Sequence, residues 1–368
     1  MTARQPPGEK GAKACTIGNT SPASWIFCTY FPGIREIGLF LRDGCEGMFG
    51  AIIGDIVGSR FEFDNCKAKE FELFTNTCDY TDDTVMTLAV AKALLLYGTI
   101  TDMDAFKREL VRVMHEVGMP HPHCGYGGRF CTWMMKNYTE PYGSFGNGSA
   151  MRVSPVAWFA GSLDECEKLA AATAEVTHNH PEGIKGAVAV AGAIYLARTG
   201  HSMAEIREYT ERFYHIDFTL DEIRPDYDFV ETCQGSVPQA LEAFFESTGF
   251  EDAIRNAVSI GGDSDTIGAM AGAIAQAAYE MPKALAGYSY GLLTPTLRHI
   301  LDDFERMIGN TTEDPFNLQR FLDMQQSDYA TALQEMKDGE KRSHWIWYIF
   351  PQLRGLGHSS YSWIYGLA

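Results

Sequence analysis

The sequence predicts an all-α fold, and three observations support this prediction. Apolar residues recur along most of the chain with the spacing of one face of an α-helix. Helix start signals precede these runs, and glycine, proline or asparagine follows them. Alternating apolar and polar runs, which are typical of strands, are scarce. With 368 residues, 45% of them hydrophobic, the chain has enough apolar material for one large domain with appendages.

The first helices can be located from their start and stop signals. A regular apolar pattern begins at Met48. Between Thr81 and Tyr97 apolar side chains share one face, and Gly98 ends the helix. Lys92 lies off that face, so we expect it to reach solvent. The same apolar pattern returns over residues 106–117.

Later helices carry clearer boundary signals. Ser202–Glu205 and Thr219–Glu222 have the spacing of a capping box, in which two side chains satisfy backbone N–H groups of the first turn. The segment Gly183–Ala197 is apolar nearly all round, which is typical of a helix at the centre of a bundle. Thr294 and Pro295 open a further helix that extends to Ile308.

Changes in composition divide the chain into three parts. Residues 1–47 lack clean periodicity and form an extension of uncertain structure, and residues 48–311 hold the regular helices and the motifs. Residues 316–368 form an incomplete C-terminal domain, in which Trp345, Trp347, Tyr348 and Phe350 crowd together. We expect these aromatic side chains to leave an exposed apolar patch.

Charge and cysteine usage argue against several classes of protein. Asp and Glu total 48 against 30 Lys and Arg, and the net charge of −18 makes nucleic acid an unsuitable general partner. No apolar run reaches the roughly 20 residues of a membrane span, and signal-peptide features are missing. The nine cysteines form no C-x-x-C pair, which favours free thiols in a reducing compartment. We therefore expect a cytoplasmic protein that does not bind membranes.

Two short acidic clusters carry the most informative chemistry. Thr81–Thr84 (TDDT) opens one apolar helix, and Asp263–Thr266 (DSDT) opens another far downstream. Carboxylates and hydroxyls without sulfur or imidazole suit hard cations such as magnesium or manganese. Either cluster alone is better explained as a helix cap. Two clusters without a neutralising Lys or Arg favour a pair of metal ions, because adjacent unpaired carboxylates repel one another.

Three further segments offer groups that suit a ligand. Ser144–Arg152 (SFGNGSAMR) is glycine-rich at a helix start and would expose backbone N–H groups to a phosphate, although an ordinary loop is the simpler reading. Arg152 would add positive charge there or brace a buried carboxylate. Gly125–Arg129 is a similar, weaker loop. Glu62 is inert, an acid/base group or an outer metal ligand, and Thr177–Glu182 favours capping or substrate contact over a zinc site.

Taken together, these residues resemble the ADP-ribosylglycohydrolase family. The motifs of that family occur here in the same order, over more than half of the chain: Gly50–Glu62, Thr81–Thr84, Gly146–Arg152, Thr177–His178 and Gly261–Thr266. The resemblance implies an orthogonal all-α bundle with two magnesium or manganese ions in a cleft. The end of the chain resembles a small bacterial domain of unknown function.

The resemblance also implies roles for individual residues. Thr81, Asp82 and Asp83 would bind one metal ion, Asp263 and Thr266 the other, and Asp265 would bridge them. The catalytic residues would be Glu62, Asp83 and Asp265. The residues in contact with ADP-ribose would be Gly127, Gly128, Phe145, Gly146, Asn147, Gly148, Ser149, Met151 and His178.

The function implied is hydrolysis of the bond between C1″ of ADP-ribose and a leaving group. That group would belong to an ADP-ribosylated protein or to a small ADP-ribose conjugate, and the sequence does not indicate which linkage is cleaved. Two other readings use the same residues. One is a non-catalytic ADP-ribose-binding module, and the other is a two-metal phosphohydrolase that acts on nucleotides.

Overall fold

The computed structural model describes residues 47–309, 319–352, 356 and 365. Within them the all-α prediction is confirmed, because the one β feature is an isolated bridge between Gly146 and Thr232. The predicted N-terminal extension lies outside the described residues except for Gly47. The helices are α1 Phe49–Gly58, α2 Asp82–Tyr97, α3 Met103–Gly118, α4 Gly128–Met135, α5 Gly148–Met151, α6 Ser154–Phe159, α7 Leu163–Glu175, α8 Pro181–Arg198, α9 Met203–Glu211, α10 Leu220–Ile223, α11 Cys233–Phe245, α12 Phe250–Ser259, α13 Ser264–Ala278, α14 Lys283–Leu292, α15 Pro295–Gly309, α16 Gln319–Asp338 and α17 Ile346–Ile349.

Most boundary signals act as predicted, and one orientation was wrong. Both capping boxes form, at Ser202 before α9 and at Thr219 before α10. Gly98 follows the end of α2 with a φ of 59°, which glycine adopts readily. Lys92 is buried rather than solvent-exposed, because its ammonium group lies 2.9 Å from Glu116 on α3. A side chain off the main apolar face of α2 is therefore still covered by a neighbouring helix.

The contact between α1 and α13 is the most extensive in the described chain. Glycines make it unusually close: a Cβ atom added to Gly54 would lie 2.0 Å from the carbonyl oxygen of Gly268. Any larger residue at Gly54 would force the two backbones apart. This contact brings Asp55, on α1, next to the start of α13, where the second acidic cluster begins.

Two other helices complete the surroundings of the site. As predicted, α8 is buried on most of its surface, and it packs against α7, α13 and α11. On the other side of the site α2 packs against α3 and α15. The first acidic cluster opens α2 and the second opens α13, so both clusters lie at helix N-termini. None of the described helices is long and apolar enough to cross a membrane.

The C-terminal segment has a small apolar core of its own. The side chains of Trp345, Trp347 and Tyr348 pack with residues of α16 and with Tyr365. The prediction of an exposed patch is therefore wrong for these three residues, because α16 covers them. Phe350 alone of the four remains exposed, with 51% of its surface accessible.

Candidate active site

The two acidic clusters meet at one point although 183 residues separate them. The hydroxyl of Thr266 donates a hydrogen bond of 3.0 Å to Oδ2 of Asp83. Oxygens of Asp55, Asp83 and Asp265 lie within 4.8 Å of one another. A second set with the same spacing consists of Glu62, Asp263 and Asp265. Asp265 belongs to both sets, so the arrangement has two adjacent places for a cation.

Asp55 is a member of this cluster that the sequence analysis did not select. It is fully buried on α1 and accepts hydrogen bonds from the backbone N–H of Thr81 (3.0 Å) and of Thr84 (3.1 Å), and from both hydroxyls. It therefore fixes the first turn of α2 against α1. The available signal was a single carboxylate in an otherwise apolar helix, FGAIIGDIVG, because such a charge requires partners.

Helix capping accounts in part for the first acidic cluster, but it does not account for the second. Thr81 is the N-cap of α2, and its side chain accepts a hydrogen bond from the backbone N–H of Asp83. Asp263 occupies the N-cap position of α13, but its carboxylate makes no capping hydrogen bond. Instead it accepts a hydrogen bond of 2.7 Å from the side-chain amide of Asn147. The second cluster thus faces the glycine-rich turn rather than its own helix.

The carboxylates are crowded enough to disfavour their charged forms. Burial, followed by the charges of neighbouring carboxylates, raises the pKa of Asp82, Asp83 and Asp265 well above the usual range. Burial also raises the pKa of Asp55 to about 6 against hydrogen bonds that lower it. Burial and the charges of Asp263 and Asp55 raise the pKa of Glu62 to about 7.

A hard divalent cation fits this set of residues. Oδ1 of Asp83 is buried without a hydrogen-bond partner, a costly situation that a cation would relieve. The surrounding donors are carboxylate and hydroxyl oxygens, which magnesium and manganese prefer. A cation would also offset the repulsion that raises the carboxylate pKa values. Of the predicted ligands, Asp83 lies close to Asp265 in one set, and Asp263 lies close to Asp265 in the other.

The acidic cluster forms one end of a cleft of about 490 Å³. Two predicted site residues, Thr81 and Ser149, do not line it. The hydroxyl of Ser149 donates to the carbonyl oxygen of Gly183 at 2.7 Å, so its side chain faces α8. The predicted residues that do line the cleft are Glu62, Asp82, Asp83, Gly127, Gly128, Phe145, Gly146, Asn147, Gly148, Met151, His178, Asp263, Asp265 and Thr266.

His178 lies under the glycine-rich turn. A Cβ atom added to Gly148 would come within 3.2 Å of the ring nitrogen Nε2 of His178, so glycine keeps this side of the ring clear. Burial lowers the pKa of His178 well below its usual value, and the charges of Arg152 and Arg129 lower it further. The imidazole is therefore neutral at physiological pH.

Hydrogen bonding selects one tautomer of that neutral ring. Arg152 donates to the hydroxyl oxygen of Thr177 at 2.8 Å, and this oxygen lies 2.7 Å from Nδ1 of His178. A hydroxyl oxygen can accept twice, but the hydrogen of the Thr177 hydroxyl has no other acceptor among the described residues, so we assign it as the donor to Nδ1. This assignment places the ring proton on Nε2, which faces the turn. Arg152 braces no carboxylate among the described residues, and its second acceptor is the carbonyl oxygen of Thr173.

Aromatic residues also line the cleft. Phe145 keeps 43% of its surface exposed, and its ring lies 5.3 Å from that of His180. Two further lining residues were not predicted: Tyr142, whose ring lies under the guanidinium group of Arg129 at 4.8 Å, and Phe229. These residues belong to loops without a recognisable motif, so no sequence signal marked them.

Comparisons with known proteins identify the family of each part of the chain. The profile of the ADP-ribosylglycohydrolase family matches residues 42–310, and that of a family of unknown function, DUF1810, matches residues 315–368. A solved chain described as an ADP-ribosylglycohydrolase-related protein complex aligns with a TM-score of 0.53 at 21% identity. The alignment covers 76% of this chain and all of that one, which shows a shared fold.

Curated relatives extend the comparison to enzymes. ADP-ribosylhydrolase ARH3 of Homo sapiens is 28% identical over 315 residues, which cover 65% of this chain and 85% of the relative. ADP-ribosyl-[dinitrogen reductase] glycohydrolase of Rhodospirillum rubrum is 30% identical over 56% of this chain and 71% of its own length. ADP-ribosylarginine hydrolase Tri1 of Pseudomonas putida is 29% identical over 63% and 69%. The chain therefore belongs to the ADP-ribosylglycohydrolase family and is a hydrolase of ADP-ribose linkages.

Proposed function

We propose that this protein is a metal-dependent hydrolase that cleaves the bond between C1″ of ADP-ribose and a leaving group. The observation that carries the proposal is the convergence of two carboxylate sets and the glycine-rich turn in a single cleft. The carboxylates suit the reacting end of the substrate, and the turn suits its diphosphate. Asn147 links the two regions, because its amide belongs to the turn and bonds to Asp263.

Two magnesium or manganese ions would be held by Thr81, Asp82, Asp83, Asp263, Asp265 and Thr266, together with Asp55. When bound, such ions polarise oxygen ligands and promote formation of hydroxide near neutral pH. Asp55 is added to the predicted set because one of its carboxylate oxygens lies within 4.8 Å of oxygens of Asp83 and Asp265.

The protein groups have separate tasks in this reaction. Water supplies the oxygen that bonds to C1″, and the bond from C1″ to the leaving group breaks with protonation of that group. Glu62 is half-buried, with a carboxylate oxygen within 4.8 Å of oxygens of Asp263 and Asp265, and this carboxyl group transfers the proton. The buried carboxylates stabilise positive charge that develops on the ribose. Nε2–H of His178 and the turn around Gly148 supply donors for the diphosphate or ribose oxygens.

Two alternative functions predict different outcomes of the same assay, so an experiment can separate them from hydrolysis at C1″. A binding module would retain ADP-ribose without turnover, although its site would not require so many uncompensated carboxylates. A phosphohydrolase would cut the diphosphate, although in our assignment the carboxylates lie at the ribose end of the ligand.

The test is a product analysis with the full-length protein. ADP-ribosyl-arginine, an ADP-ribosyl-serine peptide and O-acetyl-ADP-ribose are incubated with magnesium, manganese or a chelator, and products are separated by chromatography. We expect free ADP-ribose from at least one substrate and none after chelation. Release of AMP would establish the phosphohydrolase instead. Tight binding of ADP-ribose without any product would establish the binding module.

A further inference from the structure

A second groove, of about 840 Å³, lies beyond Glu62. It shares Glu62 and Gly125 with the cleft described above and contains Phe63, Asp79 and Tyr80, which the cleft does not. Consecutive residues thus serve different surfaces: Glu62 borders both spaces, and Phe63 borders the groove alone. A molecule that passes Glu62 would therefore occupy the cleft on one side and the groove on the other.

This position is the one that the leaving group requires. The proposed function has C1″ beside Glu62 and the rest of ADP-ribose in the cleft, so the partner of C1″ must extend out past Glu62. The groove is larger than the cleft. A single amino-acid conjugate would leave most of it empty, whereas several residues of a polypeptide would fill it.

The chemistry of the groove favours a polypeptide with positive charge. Asp79 is exposed and has no cationic partner among the described residues, and Glu62 lines the same groove. Lys92 is the one lysine or arginine that lines the groove, and Glu116 already neutralises it at 2.9 Å. The net charge of −18 also attracts a positively charged polypeptide, at longer range.

An exposed aromatic side chain adds apolar contact at the boundary. Phe63 keeps 83% of its surface accessible, the largest fraction among the exposed large apolar side chains of the described chain. Its ring stacks on that of Phe229 with centroids 6.0 Å apart, and Phe229 belongs to the rim of the cleft. The pair thus forms an apolar ledge at the junction, suited to a backbone or aliphatic side chain.

We propose that this groove binds the polypeptide that carries the ADP-ribose, with basic side chains next to the modified residue. The proposal rests on the proposed function, because it assigns the second half of the substrate to that site. The natural substrate is then an ADP-ribosylated protein rather than a small conjugate.

The test compares two substrates in matched variants of the full-length chain. The substrates are O-acetyl-ADP-ribose and short peptides that carry ADP-ribosyl-serine or ADP-ribosyl-arginine between lysines. The variants are Phe63→Ser and Asp79→Asn, and Phe350→Ser is the control because it removes another exposed phenylalanine, far along the chain. We expect either groove variant to raise KM for the cleaved peptide about tenfold and to leave KM and kcat for O-acetyl-ADP-ribose within about twofold.

The outcomes separate this proposal from the proposed function. Unchanged peptide KM in both groove variants, or equal losses on both substrates, overturns the groove assignment while hydrolysis itself stands. Failure of the unmodified protein to cleave any substrate rejects the proposed function instead. A further arm replaces the flanking lysines by glutamates, and we expect a higher KM. An unchanged or lower KM would refute the charge argument.

Discussion

The hydroxyl of Thr266 and the carboxylate of Asp83 lie 3.0 Å apart, and this hydrogen bond joins the two acidic clusters. The hydroxyl of Thr81 donates to Asp55 at 2.8 Å, and its oxygen also lies 3.3 Å from the same oxygen of Asp83, Oδ2. Two hydroxyls thus lie against one oxygen of Asp83, and Oδ1 is left without a partner. The free oxygen of Asp83 and the proximity of Asp265 are the basis of the first prediction.

Asp265→Asn should abolish most activity while preserving the fold. The substitution keeps the shape of a residue shared by both carboxylate sets but removes its charge. We expect kcat/KM to fall at least about a hundredfold and the melting temperature in chelator to stay equal or rise, because one repulsive charge is gone. Asp164→Asn, on the exposed surface of α7, is the control. Near-normal turnover of Asp265→Asn would contradict the metal assignment.

Metal removal should make stability depend on pH in a defined direction. Without metal, the folded-state pKa of Asp55 is about 6 and that of Glu62 about 7, whereas their ordinary values are 3.8 and 4.5. The folded protein then binds more protons than the unfolded chain, so this contribution to stability falls as pH rises from about 4 to 7. Magnesium requires the ionised forms, so its stabilising effect should grow over the same range.

The corresponding measurement is thermal unfolding in chelator and in magnesium at about pH 5.5 and about pH 8. The difference between the two melting temperatures at each pH isolates the site, since all other groups titrate alike in both buffers. We expect a larger difference at the higher pH. An equal or smaller difference there would show that the carboxylates are not the metal ligands.

Gly54→Ala should lower the free energy of unfolding by about 1–3 kcal/mol. The added carbon would meet the carbonyl oxygen of Gly268, so α1 and α13 must separate and Asp55 must move with α1. We expect magnesium affinity to fall as well. Gly291→Ala is the matched control, because no atom lies within 4 Å of the added carbon. Chemical denaturation and calorimetry measure the two effects, and equal stability of both variants would show that the helices repack freely.

Thr177→Val should weaken ADP-ribose binding, and Thr177→Ser should restore it. Valine removes the hydroxyl that bonds to Nδ1 of His178 and accepts from Arg152, whereas serine retains both hydrogen bonds. The loss of these positioning hydrogen bonds should raise Kd about three- to tenfold. Nitrogen-15 chemical shifts of histidine-labelled protein report the tautomer directly. Identical chemical shifts in the unmodified protein and in Thr177→Val would show that Thr177 does not fix the tautomer of His178.

A chain truncated to Met48–Thr311 should keep its activity, with kcat/KM within a few-fold of the full-length value. Every residue of the cleft and of the second groove lies inside this range. The aromatic side chains Trp345, Trp347 and Tyr348 are buried within the tail, so its removal should leave solubility unchanged. Steady-state kinetics and sedimentation test both points. A hundredfold loss of activity would assign part of the site to the tail.

The sequence was informative where a pattern is local. The helix from Thr81 was predictable because its apolar face and its stop at Gly98 lie within one short segment. Lys92 was misassigned because its burial depends on α3, whose position no pattern in α2 records. The predicted exposure of Trp345 failed for the same reason, since α16 covers it.

The importance of the two acidic clusters was predictable from their motifs, and the surroundings of the site were less so. Asp83 and Asp265 stand in recognisable motifs, whereas Asp55 was passed over because its role arises from a contact with α2. Phe229 and the groove next to Phe63 arise from loops that meet only in three dimensions. The orthogonal arrangement, the domain limits and the roles of individual site residues stay predictions.

The hydrogen bond between Asp83 and Thr266 also bears on how the protein is made. Synthesis proceeds from the N-terminus, so Asp55 and Asp83 leave the ribosome well before the 183 residues that lead to Thr266. A nascent chain therefore carries the first acidic cluster without the second, and the carboxylate sets that contain Asp265 do not yet exist. Completion of the cluster coincides with docking of α13 on α1, so a loaded metal centre would mark a chain that has finished folding.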